Sequence, residues 1–457
     1  MANESREVVV AKAVRYLLDT YSPSSTRVGW LMIATIFIEA WDLYSISFVL
    51  IFIGQVFHPS PWIVGLVGAA TQGGAVIGAL LGGWLSDRIG RRAIFLGTMV
   101  MFTVVGIAQS FVPNMAALVV VRFLLGIPLG SDISNSYTYI MESMPSGQRE
   151  VMGNRWQFMF AFGEVIAIAV VAVLTAIGMP ADLLWRLTLG LGAVPALAIF
   201  LLRLKLPETA VWLIQRGRFR EAKQVTRDLY GDPLDILPDR DVKIPHPKLG
   251  AFFAHLRSHP IRWRATLFGW LACFAQSSEF STFGFYIPML FVTLGISSPL
   301  GTSLVTLCLY IVAAISGYVG PLITPRIGQR KLSIYGFSIV FVSLIVAALA
   351  IYADKLIIVP FAAAAMLWGH YWDAENVMTI PSMVAAPIYR GTSAGVAYVF
   401  VKLPSFLSIF LFPAFFGAIG KANATLFTAI FPLIGLLAAV YILPEVYGYK
   451  EDSQMAA

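Results

Sequence analysis

The sequence predicts an all-α polytopic membrane protein with twelve transmembrane helices, arranged as two six-helix halves around a central cavity. Three observations support this prediction. Long apolar runs recur along the 457-residue chain, which is 58% hydrophobic and only 12% charged, whereas a soluble protein has about 25% charged residues. A long hydrophilic segment interrupts these runs near the middle of the chain. Short motifs in the first half of the chain and at the start of this segment recur in the second half of the chain.

Twelve apolar segments have the length that a helix needs to cross the hydrocarbon core of a bilayer, about 20 residues. Their predicted bounds are 30–56, 63–86, 93–112, 116–142, 155–178, 183–203, 265–293, 301–324, 332–353, 357–384, 393–418 and 424–443. The hydrophilic segment separates the first six spans from the last six. We therefore predict an N-terminal half of residues 1–203, a cytoplasmic linker of residues 204–264 and a C-terminal half of residues 265–457.

Two motifs repeat between the halves at a nearly constant offset. The sequence RIGRR at residues 88–92 recurs as RIGQR at residues 326–330, which is 238 residues later. The sequence LPE at residues 206–208 recurs at residues 443–445, which is 237 residues later. Each motif occupies the same position relative to the spans of its half. The repeat indicates a duplicated six-helix unit, and two parallel halves around a central site are typical of transporters.

The distribution of basic residues predicts the orientation of the chain. The net charge is +7, but the basic residues cluster in alternate loops and in the linker, where the positive-inside rule accounts for them. This distribution argues against nucleic-acid binding. It places both termini and the linker in the cytoplasm, and we expect the protein in the plasma membrane. The two cysteines lie inside apolar segments and indicate no disulfide framework.

The sequence contains no pattern that indicates catalysis or a bound cofactor. It has no metal-ligand motif, no catalytic triad and no phosphate-cradling loop. We therefore expect neither an enzyme nor an ATP-driven pump, and no cofactor or metal ion. The expected partners are a small-molecule solute, protons and the lipid bilayer, and we expect the protein to function as a monomer.

The fourth predicted span, residues 116–142, carries charges where a bilayer disfavours them. Asp132 follows Arg122 by ten residues, about 15 Å along a helix, which places Asp132 near the middle of the span. A charged side chain there costs about 2.5–3.5 kcal/mol on insertion scales, so such an acid is a functional candidate. We expect Asp132 to carry a proton. The alternative is a buried acid that is satisfied by the backbone or by Lys402.

Asp42 in the first span and Arg122 in the fourth are the second candidate for proton coupling. In this hypothesis Arg122 holds Asp42 ionised, and protonation of Asp42 releases Arg122 and lets the cavity change the side to which it opens. The alternative is a structural salt bridge between two helices.

The loop between the second and third predicted spans reads GWLSDRIGRR at residues 83–92. Its glycines permit a tight turn, its aspartate can face a helix N-terminus, and its arginines can bridge to acids on neighbouring spans. Topology alone would not require this combination. The candidate gate residues are Gly83, Asp87, Arg88, Gly90, Arg91 and Arg92, together with Glu142 and Arg149 where the fourth span leaves the membrane.

This loop resembles the signature of the major facilitator superfamily at every defining position. The stretch 122–149 is similar to the fourth span of the sugar porters, LPETAVWL at residues 206–213 resembles the motif that opens their central segment, and residues 443–445 resemble their C-terminal motif. The resemblance covers nearly the whole chain. It implies the major facilitator fold, secondary transport by alternating access, and a cytoplasmic gate at residues 83–92 that latches the outward-facing state.

Within this group, the chain is closest in its motifs to the phosphate:proton symporters. That branch has an acid ten residues before the glutamate of span four, as Asp132 precedes Glu142. It also has a lysine twelve residues past a loop arginine, as Lys402 follows Arg390. The chain departs from the branch in span seven, where Thr282 replaces an aspartate and Glu279, one turn earlier, is the candidate substitute.

Two glutamines resemble the sugar porters instead. Gln157 in span five and Gln276 in span seven match sugar-contacting glutamines. Ala275 and Ser281 replace a second glutamine and an asparagine of that pattern. The chain therefore shares features with both branches. An alternative is that it belongs to neither branch and transports another metabolite.

The resemblance implies a substrate site formed by Gln157, Gln276, Glu279, Tyr286 and Lys402. Lys402 favours an anion, because an ammonium group inside the membrane can hold a negative solute; the alternative is a structural partner for an acid. We therefore expect a proton symporter of a small anion, inorganic phosphate or an organic carboxylate. The alternative is a sugar:proton symporter of the sugar-porter type. An alternative of a different class is a non-transporting nutrient sensor.

Overall fold

Helices form all the regular structure in the part of the chain that the computed structural model describes, residues 6–232, 234–245, 249–293, 295 and 298–449. The first helices are α1 (Arg6–Asp19), α2 (Ser25–Phe57), α3 (Pro61–Ile89), α4 (Arg91–Ala108), α5 (Met115–Ser143), α6 (Gln148–Asn154), α7 (Trp156–Ala176), α8 (Ala181–Leu191) and α9 (Ala193–Arg203). The predicted linker contains α10 (Ala210–Gln215), α11 (Phe219–Tyr230) and α12 (Leu249–Arg257). The last helices are α13 (Pro260–Glu279), α14 (Ile287–Thr293), α15 (Pro299–Ile327), α16 (Gln329–Tyr352), α17 (Ile358–Asp373), α18 (Glu375–Val384), α19 (Arg390–Ile419), α20 (Lys421–Thr428) and α21 (Ile430–Tyr441).

Ten helical segments of the described residues are long and apolar enough to cross a membrane. They correspond to ten of the twelve predicted spans, and the expected all-α polytopic fold is confirmed. The other two predicted spans are helical but interrupted. A π-helical turn at Phe280–Gly284 separates α13 from α14, and Ala374 separates α17 from α18. The predicted boundaries of the two halves, at residues 203 and 264, stay a prediction.

Within each half, the glycine-containing motif contacts the LPE motif, and the contact has the same geometry in both halves. Gly90 and Gly328 have positive φ angles of 106° and 84°, and each directly precedes a helix, α4 or α16. The first two backbone N–H groups of α4 donate to the carboxylate of Glu208 at 2.9 and 3.1 Å, and those of α16 donate to Glu445 at 3.0 and 3.2 Å. A carboxylate at this position accepts hydrogen bonds from otherwise unpaired N–H groups and interacts favourably with the helix dipole. The two motifs therefore recur together because they form one helix cap.

Glycines let α3 pack closely against helices on two sides. A methyl group at Gly74 would lie 1.9 Å from a carbonyl oxygen of α5, so only glycine fits there. At Gly65 and Gly83 a methyl group would lie 2.6 and 2.3 Å from carbonyl oxygens of α19. These two glycines are near opposite ends of α3. Because α3 precedes the linker and α19 follows it, the two predicted halves are in contact at both ends of the bundle.

Candidate functional site

A buried ion pair joins α2 to α5. The guanidinium group of Arg122 donates two parallel hydrogen bonds to the carboxylate of Asp42, each 3.1 Å long, and Nε donates a third to the backbone carbonyl of Val67 at 3.0 Å. Arg122 is fully buried and Asp42 is 3% exposed. This bidentate geometry stabilises the ionised carboxylate. The structure thus brings together the two residues of the hypothetical switch, and their role in proton coupling stays a prediction.

Asp132 has an arginine partner that the sequence analysis missed. Nη1 of Arg203, the last residue of α9, lies 2.9 Å from both carboxylate oxygens of Asp132. Thr98 on α4 donates a further hydrogen bond at 2.9 Å, and Ser136 donates one at 3.3 Å. The suggestion that Lys402 satisfies Asp132 is therefore wrong. Arg203 is the last residue of the sixth predicted span, and no local pattern signals its contact.

Lys402 is paired with an acid of the opposite half. Its ammonium group donates hydrogen bonds to Glu39 on α2 and, over 2.8 Å, to Gln72 on α3. It also lies 4.9 Å from the centre of the Tyr398 ring. Lys402, Glu39 and Gln72 are each at most 3% exposed. One positive and one negative charge therefore cancel at this point between the halves. Glu39 lies three residues before Asp42 in the first predicted span, and only the fold shows its partner.

Two glutamines of the predicted substrate site are buried. Gln157 on α7 is 2% exposed and Gln276 on α13 is 4% exposed, and neither amide forms a hydrogen bond with the described residues. Tyr286 is already engaged, because its hydroxyl donates to the carbonyl of Ile409 at 2.6 Å and its ring stacks on Phe412 at 5.2 Å. The two amides therefore keep their donors and acceptors available, whereas the Tyr286 hydroxyl can only accept.

Glu279 contacts a different set of residues from Lys402. Its carboxylate Oε1 lies 3.0 Å from Nδ1 of His370 on α17, and Asp373 lies beside the same imidazole at 3.8 Å. Glu279 therefore belongs to a second polar cluster, and its predicted role in substrate binding remains untested.

Hydroxyl groups link the halves at two further points. Tyr371 on α17 donates to Glu164 on α7, and the hydroxyl groups of Tyr44 on α2 and Tyr310 on α15 share a hydrogen bond. All four residues are fully buried. These contacts join helices before the linker to helices after it, and the sequence analysis did not identify the tyrosines.

The loop at residues 83–92 binds the first turn of α19. The carboxylate of Asp87 accepts hydrogen bonds from the backbone N–H of Gly391 at 3.1 Å and from both the N–H and the hydroxyl of Thr392 at 2.7 Å each. Asp87 is 2% exposed. A carboxylate at a helix N-terminus is favoured by the helix dipole. In this conformation Asp87 therefore holds the two predicted halves together at the end of the bundle that carries the loop.

Arg91 anchors this arrangement from within its own half. Its guanidinium group lies 3.0 Å from Asp87 and donates to both oxygens of Glu142 at 2.7 and 3.2 Å. Arg92 donates to the backbone carbonyls of Leu206 and Leu204 in the linker at 2.9 and 3.1 Å. The acidic end of α5 and the linker thereby fix the loop that presents Asp87.

The remaining gate candidates have structural contacts nearby. Arg88 lies over the ring of Trp84, 4.1 Å from its centroid. Arg149 on α6 donates to the backbone carbonyl of Tyr449 at 3.0 Å and lies 3.9 Å from Glu150. Arg149 therefore links α6 to the C-terminal segment instead of contacting Asp87, and its role in gating stays a prediction.

Apolar spanning helices, buried ion pairs, one of which joins the two predicted halves, and a polar latch at one end are together typical of a membrane transporter. The chain belongs to the sugar (and other) transporter family, whose profile matches residues 29–453. It is an integral membrane protein and a transporter, not an enzyme.

Relatives and solved structures agree with this assignment. The chain is 26% identical over 407 residues to the inner membrane metabolite transport protein YgcS of Escherichia coli K12, covering 89% of this chain and 88% of that protein. It is 24% identical over 422 residues to the arabinose-proton symporter of Bacillus subtilis 168, covering 89% of each. The structure of the proton:xylose symporter XylE bound to 6-bromo-6-deoxy-D-glucose has a TM-score of 0.78 at 19% identity, covering 93% of this chain and 97% of XylE.

The expected major facilitator fold and the resemblance to the sugar porters are therefore confirmed. The finer expectation, that the chain belongs with the phosphate:proton symporters, is not supported, because the matched family and these relatives are sugar and metabolite transporters. Asp132 and Lys402, two of the residues that favoured that branch, each have a charged partner within this chain. Asp132 pairs with Arg203, and Lys402 pairs with Glu39.

Proposed function

We propose that this protein is a proton-coupled symporter of a small uncharged solute rich in hydroxyl groups, a sugar or a polyol, and that it works by alternating access. Family membership supports transport of this kind. One relative is named an arabinose-proton symporter, another is named a myo-inositol transporter, and the similar solved structure is of a proton:xylose symporter.

The pairing of Lys402 with Glu39 is the observation that carries the choice of an uncharged solute. An anion would have to compete with the Glu39 carboxylate for the ammonium group, and the displaced carboxylate would then be buried without a partner. A neutral solute imposes no such cost. Lys402 therefore supports the sugar alternative better than the phosphate reading that its sequence position had suggested.

The amides of Gln157 and Gln276 suit hydroxyl groups. Each amide offers two N–H donors and one carbonyl acceptor, and neither is bonded to a described residue. A sugar hydroxyl both donates and accepts, so each amide can form a pair of complementary hydrogen bonds with neighbouring hydroxyls. Such polar groups reject a solute that lacks the hydroxyls, because they are then left unpaired. We propose these two residues as the principal solute contacts.

Asp42 is the proposed site of proton binding. Protonation of Asp42 would convert its charge-assisted bonds with Arg122 into weaker ones and leave Arg122 free to adopt other contacts. Each proton that enters across a potential of 100 mV supplies about 2.3 kcal/mol. Asp132 is the second proposed site of proton binding. Arg203 is its arginine partner, as Arg122 is the partner of Asp42.

Alternating access requires the contacts between the halves to break and reform. The latch between Asp87 and Thr392 and the pair between Glu39 and Lys402 are two of the contacts that we propose are released when the bundle opens. We further propose that the protein functions as a monomer in the plasma membrane, with both termini and the linker in the cytoplasm.

Uptake by proteoliposomes tests this function. Purified protein is reconstituted, an inward proton gradient is imposed, and labelled xylose, arabinose, glucose, myo-inositol and inorganic phosphate are offered in parallel. We expect gradient-stimulated accumulation of at least one neutral solute, which a protonophore abolishes, and none of phosphate. Gradient-driven phosphate accumulation without uptake of any neutral solute would overturn the proposal. If the proton gradient does not change the uptake of a neutral solute, proton coupling is overturned but transport of a neutral solute is retained.

A further inference from the structure

Two interrupted helices bring three potential metal ligands together. Glu279 is the last residue of α13, directly before the π-helical turn at Phe280–Gly284. His370 and Asp373 lie one turn apart at the end of α17, directly before the interruption at Ala374. Isolated π-helical turns often occur at functional sites. The interruptions of the two helices therefore meet at one cluster, which consists of Glu279, His370 and Asp373.

The three side chains are spaced as ligands of one ion. One carboxylate oxygen from each acid and one imidazole nitrogen all lie within 4.8 Å of one another. Nδ1 of His370 is 3.0 Å from Glu279 Oε1 and 3.8 Å from Asp373 Oδ1. Metal–ligand bonds of about 2.0–2.2 Å in a tetrahedral site place neighbouring ligands about 3.3–3.6 Å apart. The two separations from His370 Nδ1 lie on either side of this range. Small side-chain shifts would therefore bring these ligand atoms to the separations that one ion requires.

The cluster lacks the positive charge that its burial requires. Glu279 and Asp373 are fully buried, and His370 is 3% exposed. Neither oxygen of Asp373, nor Oε2 of Glu279, accepts a hydrogen bond from a donor in the described part of the chain. No lysine or arginine among the described residues lies within 4.0 Å of either carboxylate. Buried carboxylates are strongly unfavourable without a compensating charge or hydrogen bond.

A divalent cation can compensate all three groups of the cluster, whereas a proton on His370 cannot. A proton on Nδ1 of His370 can bond to Glu279 at 3.0 Å but is too far from Asp373 at 3.8 Å. A divalent ion would contact all three groups and balance two carboxylates beside a neutral imidazole. A site that combines an imidazole nitrogen with carboxylates favours first-row transition metals, whereas Na⁺, Mg²⁺ and Ca²⁺ prefer oxygen ligands.

Aromatic neighbours hold the imidazole in place and connect it to the opposite half. The ring of Phe280 stacks on His370 with centroids 4.3 Å apart and an interplanar angle of 9°. The other neighbours of Phe280 include Tyr44 and Phe160, on helices of the opposite half. Separation of the halves would therefore uncover Phe280, which covers the imidazole.

We propose that Glu279, His370 and Asp373 form a binding site for one divalent transition-metal ion, such as Zn²⁺ or Mn²⁺. The bound ion links α13 to α17 within the C-terminal half. This site does not depend on the identity of the transported solute. The sequence concealed it because Glu279 and His370 are 91 residues apart, so no compact ligand motif exists.

Metal titration of the purified full-length protein in detergent tests the site. Zn²⁺ and Mn²⁺ binding is measured by calorimetry, and bound metal is counted after desalting. We expect one ion per chain, and at least a tenfold loss of affinity in Asp373→Asn and His370→Gln. Glu375→Gln is the matched control, because Glu375 is a nearby buried acid whose oxygens also accept no described hydrogen bond. It lies outside the cluster, so its variant should bind like the wild type.

Folded wild-type protein that binds neither Zn²⁺ nor Mn²⁺ would overturn the proposal, as would unchanged affinity in folded Asp373→Asn. A site that takes up protons but no metal would also overturn it. If both cluster variants fail to fold, X-ray absorption of zinc-loaded wild type replaces them. One imidazole with oxygen ligands would support the site, whereas a sulfur ligand or several imidazoles would place the metal elsewhere and overturn it.

Discussion

The ammonium group of Lys402 on α19 donates a hydrogen bond to the carboxylate of Glu39 on α2, 363 positions earlier in the chain. Gln72 on α3 accepts a second bond at 2.8 Å. α2 and α3 precede the linker and α19 follows it, so this buried pair crosses the interface between the predicted halves. The pair has to separate whenever the interface opens there, and its charges have to be compensated in each state.

The first prediction concerns the two charges of this pair. Lys402→Met leaves the Glu39 carboxylate buried without its partner, and we expect a loss of about 3–5 kcal/mol in stability. The double variant Glu39→Gln with Lys402→Met removes both charges and should recover most of that loss. Thermal unfolding in detergent measures both effects. A double variant that is no more stable than Lys402→Met would show that the two side chains are not coupled.

The second prediction concerns proton coupling at Asp42. In Asp42→Asn the side chain cannot ionise or take up a proton, so we expect gradient-driven accumulation to fall at least tenfold while exchange of labelled solute persists. Counterflow and gradient-driven uptake in the same liposomes separate these two activities. Asp182→Asn is the control, because Asp182 pairs with Arg186 at the surface. Full accumulation in Asp42→Asn would exclude Asp42 as the essential proton site.

The third prediction concerns Asp132. Arg203 also donates to the carbonyl of Met32 at 3.0 Å and to the hydroxyl of Thr35 at 2.6 Å, so Asp132→Asn does not leave its guanidinium group without acceptors. We therefore expect a folded variant that loses proton-driven accumulation but keeps part of the exchange activity. Uptake and melting temperature are measured together. Normal accumulation with a lowered melting temperature would mean that Asp132 has a structural role only.

The fourth prediction concerns the latch at Asp87. Asp87→Asn removes the charge that the N-terminus of α19 stabilises, an interaction worth roughly 0.3–2 kcal/mol. The equilibrium constant for the closed contact should therefore fall by about twofold to thirtyfold. A cysteine replacing the buried Ser393, in a background without Cys273 and Cys308, should react faster with a maleimide in the Asp87→Asn protein. Equal labelling rates with and without Asp87→Asn would contradict a latching role.

Hydropathy and short motifs predicted much of this protein. The apolar spans were recognisable because a helix in a bilayer must satisfy its own backbone and bury an apolar surface of defined length. The two repeated motifs were recognisable because each keeps a local pattern, and the cap that Glu208 and Glu445 provide explains why these motifs occur in pairs. The sequence analysis also proposed Asp42 and Arg122 as a pair, and the structure places them in contact.

The sequence by itself therefore determined the helices, the family and the latch loop, because these depend on composition and on residues close together in the chain. Apart from the pair of Asp42 and Arg122, tertiary structure alone decided which buried charges meet. Helical periodicity shows which side chains share a face of one helix, but packing of separate helices decides which faces come together. Arg203 beside Asp132, Glu39 beside Lys402, and Glu279 beside His370 are contacts of this second kind. Lys402 suggested an anion in the sequence because its neutralising acid lies on the other side of an interface that only folding creates.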